Sequence, residues 1–136
     1  MTSPSDTVER LVRATNDHDL DRLVACFSPE YVNETPVHPA RSFRGREQVR
    51  RNWEQIFAAV TDLQAELLDC LTEGNSVWTE WEMRGTRPDG SRHLMAGVII
   101  FVVEQDLIQQ ARFYLEPVDE GTTTADDAVR QQVAGR

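Results

Sequence analysis

The sequence predicts an α+β domain: three helices, a short strand, then a four-strand antiparallel meander with the helices on one side of the sheet. Three observations predict it. Apolar residues recur at helical spacing as far as Val60, and after Asp62 they recur at every second residue instead. The stretch His93 to Val103 is apolar at both parities and rich in Val and Ile, the pattern of a strand covered on both faces. Turn-forming groups, Glu73-Gly-Asn75, Pro88-Asp-Gly90 and Gln105-Asp106, divide the second half at strand-length intervals.

Taken in order, Asp6-Thr-Val-Glu9 has capping-box spacing and predicts a first helix from Asp6, with Val8, Leu11, Val12 and Thr15 on one face. Asn16-Asp-His-Asp19 breaks it. Leu20, Leu23, Val24 and Phe27 predict a second helix that Pro29 ends. A short extended piece, Tyr31 to Pro36, leads into a loop with His38 and Pro39. After Gly45 a third helix carries Val49, Trp53, Ile56, Phe57 and Val60 in one stripe. The strands then run Leu63 to Thr72, Val77 to Thr86, His93 to Val103 and Leu107 to Glu116, with Pro117 as the stop. The domain therefore spans 1–117. The tail, 118–136, is low in apolar content and is expected to be a mobile end or one short helix using Val129 and Val133.

Composition narrows the function. The 136 residues suffice for a core without metal or disulfide staples. The net charge is −9 and every basic residue is Arg. A negative field repels phosphate backbones and anionic lipid, so neither nucleic acid nor a membrane surface is an expected partner. Cys26 and Cys70 have no metal-ligand spacing and read as small buried hydrophobes in a reducing compartment. Met1 to Asp17 is polar where a secretory signal would be apolar, and no segment nears the ~20 apolar residues of a membrane span. The expectation is a soluble, cytoplasmic protein. No nucleophile elbow, phosphate-binding glycine loop or metal-spaced His/Cys cluster occurs, and nothing suggests a bound cofactor or metal.

Alternation assigns faces. Val77, Thr79, Trp81 and Met83 oppose Trp78, Glu80, Glu82 and Arg84; Leu107, Gln109, Ala111, Phe113 and Leu115 oppose Ile108, Gln110, Arg112, Tyr114 and Glu116. The odd sets are expected to face the helices, leaving the acids outside, with Arg112 beside Glu80 or Glu82. On the central strand the outer set, Ala96, Val98, Ile100 and Val102, is apolar as well. An apolar strip with a charged rim is how a partner surface looks, and a homodimer through this face is expected.

The order of elements over residues 6 to 117, with Phe43-Arg-Gly-Arg-Glu-Gln-Val-Arg-Arg-Asn-Trp53 leading the third helix and Arg112-Phe-Tyr-Leu-Glu-Pro117 closing the sheet, resembles the SnoaL-like branch of the nuclear transport factor 2-like superfamily. The resemblance implies a curved antiparallel sheet wrapped on the three N-terminal helices into a cone, with an internal ligand cavity and frequent dimerisation. The superfamily includes ketosteroid isomerases, limonene-epoxide hydrolases, polyketide cyclases and non-enzymatic members. The isomerase pattern would place a base at Thr35 and oxyanion donors near Leu11 and Ile99, none of which can serve. The hydrolase pattern is matched at Tyr31-Val-Asn33, which would hold a water, but its acid and base positions fall on Met83, Trp81 and Phe113.

The cavity so implied is lined by Tyr31, Asn33, Thr35, Trp81, Met83, His93, Met95, Phe113 and Leu115, with helices one and three above. Tyr31, Asn33 and His93 are the candidate catalytic residues; Thr35, Trp81, Met83, Met95, Phe113 and Leu115 are the candidate ligand-binding residues. Such an apolar, aromatic lining with few polar points suits a hydrophobic small molecule, although the same large residues would equally fill a solid core. His93 is the one candidate acid or base on the inner parity, His38 and His18 read as surface residues, and Glu34, Glu80, Glu82 and Glu116 read as outward charges. Two functions stay open: a hydrophobic-metabolite isomerase, cyclase or hydrolase, or a non-enzymatic ligand carrier or dimeric interaction module.

Overall fold

The computed structural model describes residues 2–135. The elements are α1 (Pro4–Asn16), α2 (Leu20–Ala25), β1 (Phe27–Glu34), a 3-10 turn (Pro39–Arg41), β2 (Phe43–Arg44), α3 (Arg46–Ala59), β3 (Gln64–Glu73), β4 (Ser76–Thr86), β5 (Arg92–Glu104), β6 (Leu107–Pro117) and α4 (Ala125–Val133). Among the described residues the strands form one curved, unclosed sheet in the order β2-β1-β6-β5-β4-β3. The antiparallel meander from β3 to β6 follows the period-two pattern that predicts it.

The first third of the chain departs from its expected boundaries. Helix α1 starts at Pro4, not Asp6. Asp6 occupies the third helical position, and its carboxylate accepts a hydrogen bond from the Ser3 backbone N–H at 2.8 Å. Helix α2 stops at Ala25, so Phe27 and Pro29 belong to β1. That strand runs parallel to β6, with Asn33 opposite Ala111 and Glu34 opposite Arg112. The two-residue β2 adds an edge that no local pattern announced. The tail carries α4, capped by the Thr124 hydroxyl, with Val129 and Val133 exposed.

On β4 the alternation holds: Val77, Thr79, Trp81 and Met83 are buried. On β6 it breaks once. The register skips Gln109 between the pairs Val102–Gln110 and Val103–Ile108, a β-bulge that flips parity below it. Ile108, expected outside, is fully buried. Arg112 does not meet Glu80 or Glu82, because β5 stands between their strands; the cation beside Glu82 is Arg84. Outside, Trp78 (50 % exposed) and Tyr114 flank the apolar set of β5, and Leu71 (69 %) and Leu68 lie one strand further out on β3.

The helices cover the inner face unequally. Thr7, Val8, Leu11, Ala14 and Thr15 of α1 are buried, and α1 packs on β3, β4 and β5. Asn16 fastens its end to β3, accepting from the Ala65 N–H at 2.6 Å and donating to the Ala65 carbonyl at 2.9 Å. Helix α3 packs on α2 and β1 instead. Of its stripe within the helix only Val49 is buried; Trp53, Ile56 and Phe57 are half-buried, and the space beneath Trp53 and Ile56 is hollow.

Candidate functional site

The hollow is a cavity of about 310 Å³ between α3, β1 and the β4–β5–β6 end of the sheet. That volume is at the lower end of the range of small-molecule sites. Phe113 and Leu115 of β6, Met83 of β4, Met95 of β5 and Trp53 and Ile56 of α3 give it an apolar, aromatic wall.

Its polar depth is built by β1. In the second half of that strand the odd residues turn inward, which brings Tyr31 and Asn33 to one face, with Thr35 just beyond the strand end. The Tyr31 hydroxyl donates to Asn33 Oδ1 at 2.7 Å, and Asn33 Nδ2 lies 3.4 Å from Thr35 Oγ1, donating to it. Tyr31 is 1 % exposed, and burial pushes its hydroxyl far above the ordinary tyrosine range, so it stays protonated. The ring is wedged edge-on against Phe27 and Phe43, at centroid distances of 4.8 and 6.0 Å. The Thr35 hydroxyl proton has no acceptor among the described residues, so a ligand oxygen can take it.

His93 enters the wall from the start of β5. Desolvation, and secondarily the Arg87 charge, hold its imidazole below the usual histidine range. At neutral pH the ring is therefore mostly neutral and able to accept a proton. At the mouth stand Arg41, from the 3-10 turn, and Glu116, from the end of β6. His38 Nε2 donates to Glu116 Oε1 at 3.0 Å, joining the loop after β1 to the last strand. Among the described residues no three His, Cys, Asp or Glu side chains gather as a metal centre would need.

Of the residues expected at the cavity, Tyr31, Asn33, Thr35, Met83, His93, Met95, Phe113 and Leu115 line it. Trp81 does not. It lies deeper on β4, 1 % exposed, its ring edge-on to Phe101 and its Nε1–H donating to Thr79 Oγ1 at 2.6 Å. Parity places it on the inner face but says nothing of depth along the strand. Helix α1 contributes no lining residue; α3 alone is the roof. His18 is not an exposed turn residue: its Nε2 is 2.8 Å from the Leu63 carbonyl and its ring stacks on Phe57. Cys26 is buried, but Cys70 only half so.

Sequence reasoning missed Arg41, Phe43, Asn52 and Glu116. Glu116 belongs to the outer parity, yet it lines the mouth because the sheet ends there and His38 draws it over the edge. The Phe43–Trp53 stretch held a signal for Phe43 and Asn52, since it leads into α3; Arg41 lies two residues before it, in the 3-10 turn.

The sequence matches the SnoaL-like domain over residues 8–111. No curated protein matches it significantly. Among solved structures, it is similar to wild-type IdmH, a putative polyketide cyclase from Streptomyces antibioticus, with 26% identity and a TM-score of 0.73, covering 84% of this chain and 92% of that one. A Mycobacterium tuberculosis LEH-like epoxide hydrolase gives 18% identity and a TM-score of 0.71 over 83% of this chain and 82% of that one. A second M. tuberculosis protein, solved in complex with estradiol-17beta-hemisuccinate, gives 18% and 0.72 over 83% and 94%. The last two share the fold. With the family match spanning most of its length, the chain belongs to the SnoaL-like domain family.

Proposed function

We propose that this protein binds a hydrophobic, oxygen-bearing metabolite of polyketide or terpenoid type in the cavity and moves a proton on it, as a cyclase or isomerase. One observation carries the reading: an apolar cavity that ends on the Tyr31–Asn33–Thr35 chain, with neutral His93 in its wall. The wall desolvates the ligand skeleton. Thr35 donates to a carbonyl or hydroxyl oxygen, held in place by Asn33 and Tyr31, and His93 accepts the proton from the adjacent carbon. The likeness to a putative polyketide cyclase supports this class of ligand.

A specific observation favours a second reading, a non-enzymatic carrier: the Tyr31 hydroxyl is spent on Asn33, and the lining carboxylate, Glu116, stands at the mouth. 1-Tetralone separates the two. Its binding is read by tryptophan fluorescence and its α-proton exchange in D2O by NMR. Binding with exchange that His93→Gln abolishes supports the proton-transfer reading, and Thr35→Val should weaken binding about fivefold, the loss of one hydrogen bond. Binding without exchange leaves the carrier; no binding by any aromatic ketone of this size defeats both.

We further propose that the protein is a cytoplasmic homodimer. Its two unpaired cysteines suit a reducing compartment. The strip of Ala96, Val98 and Val102, bordered by Trp78 and Tyr114 with Leu71 beyond Trp78, supports pairing through the outer sheet face. Light scattering at micromolar concentration should give twice the chain mass, and Trp78→Glu should halve it; monomer mass for the unaltered protein would refute the dimer.

A further inference from the structure

Arg41 is the arginine that lines the cavity. Most arginines among the described residues are occupied, Arg51 by Gln48 Oε1 and Arg87 by Ser91 Oγ. Arg22, Arg50, Arg84, Arg92 and Arg130 have carboxylates within 4.0 Å. Arg10 donates to the Asp106 carbonyl and Arg46 to the Phe27 carbonyl. The Arg41 guanidinium makes no ion pair or hydrogen bond among the described residues, although Glu116 lines the same mouth. His38 explains why: its imidazole already holds the Glu116 carboxylate, and the backbone keeps the two loop residues together, with Arg41 N–H donating to the His38 carbonyl at 2.9 Å. The turn thus ties up the local anion with one residue and leaves the cation of the other at the opening of an apolar cavity.

We propose that Arg41 is a specificity-determining residue, and that the ligand is an amphipathic carboxylic acid whose skeleton lies in the cavity and whose carboxylate meets Arg41 at the mouth. The assignment rests on the cavity being a ligand site and adds the charge of the ligand. A guanidinium offers a forked pair of donors to a carboxylate. The protein's overall charge of −9 would otherwise disfavour an acid, so selection for one has to be local. Glu116 opposes the same anion and sets its affinity downward.

The test uses acid and methyl-ester pairs of one skeleton: 2-naphthoic, biphenyl-4-carboxylic and decanoic acids, titrated by calorimetry at low ionic strength. The acids should bind about three- to tenfold more tightly than their esters, the range of a partly solvated charged pair. Arg41→Gln should erase that preference by weakening the acids alone, and Arg41→Lys should keep part of it. Glu116→Gln should tighten the acids and leave the esters unchanged, which a purely structural Glu116 would not do. Arg41→Gln should melt with the unaltered protein, having lost no internal contact. Esters and acids binding alike, or a preference untouched by Arg41→Gln, overturns the assignment while the cavity stands as a ligand site. If no member of any pair binds, the ligand-site reading falls and this one with it.

Discussion

The two ends of the inner sheet face have the same inward parity and opposite fates. At the α1 end Trp81, Phe101, Val77 and Ile99 are buried beneath a helix that packs directly on the strands. At the α3 end Phe113, Leu115, Met95 and His93 are half-buried around a void. Each end has a short polar chain, and the chains differ in how they finish. Trp81 Nε1–H donates to Thr79 Oγ1, whose own proton goes to the Ile99 carbonyl, both at 2.6 Å. That chain closes on backbone. Tyr31 donates to Asn33 and Asn33 to Thr35, where the chain stops with a hydroxyl to give. A closed polar chain rigidifies a core, whereas an open one beside a cavity selects a ligand.

Substitutions should therefore separate stability from binding according to the end they touch. Trp81→Ala should cost about 3–5 kcal/mol in denaturant unfolding, the usual loss for a fully packed indole. Phe113→Ala should cost under about 2 kcal/mol, since its ring already faces space, and should weaken apolar ligands. Equal losses would mean that the α3 end is packed too.

Gly97 lies on the boundary, paired with Trp81 on one side and Leu115 on the other. Its φ is +146°, and an added Cβ would meet the Tyr114 carbonyl oxygen at 2.1 Å. Gly97→Ala should cost about 2–4 kcal/mol through strain and overpacking, read as a lowered denaturant midpoint. The two threonines give a finer contrast. Thr79→Val strands the Trp81 N–H and should cost about 1–3 kcal/mol. Thr35→Val removes the end of an open chain and should cost under about 1 kcal/mol of stability, with the larger effect on ligand affinity.

The smallest effect is a pH dependence. The folded pKa of His93 lies below its unfolded value, because the charged ring is poorly solvated and faces Arg87. Between those two values the unfolded chain binds more protons, so stability is retained above about pH 6.5, the unfolded value, and lost as pH falls through the folded one. His93→Gln should flatten that part of the decline between pH 7.5 and 5.5; a decline unchanged by the substitution would remove His93 as its source.

The same contrast explains what the sequence reveals. Alternation on Val77 to Met83 assigns faces because each side chain answers only to its neighbours across one sheet surface. It does not distinguish Trp81 from Met83, since depth depends on which helix lies above, a property of the whole fold. The Gln109 bulge is equally silent, because an unpaired residue is defined by its partner strand, β5. Parallel pairing of β1 with β6 joins residues almost eighty positions apart, as with Glu34 and Arg112, and no turn signal marks it. The capping pattern at Asp6 was real but shifted, since Ser3 and Asp6 carry the same spacing that Asp6 and Glu9 do. Glu116 escaped because alternation describes the middle of a sheet and fails at its rim.

A crystal structure of the protein with 1-tetralone tests the central contrast most directly. The ketone should lie between Trp53 and Phe113, with its carbonyl oxygen within hydrogen-bond distance of Thr35 Oγ1 and the Trp81 end unchanged. Ligand density anywhere else, or a cavity closed by the collapse of Phe113, Leu115 and Met95, would contradict it.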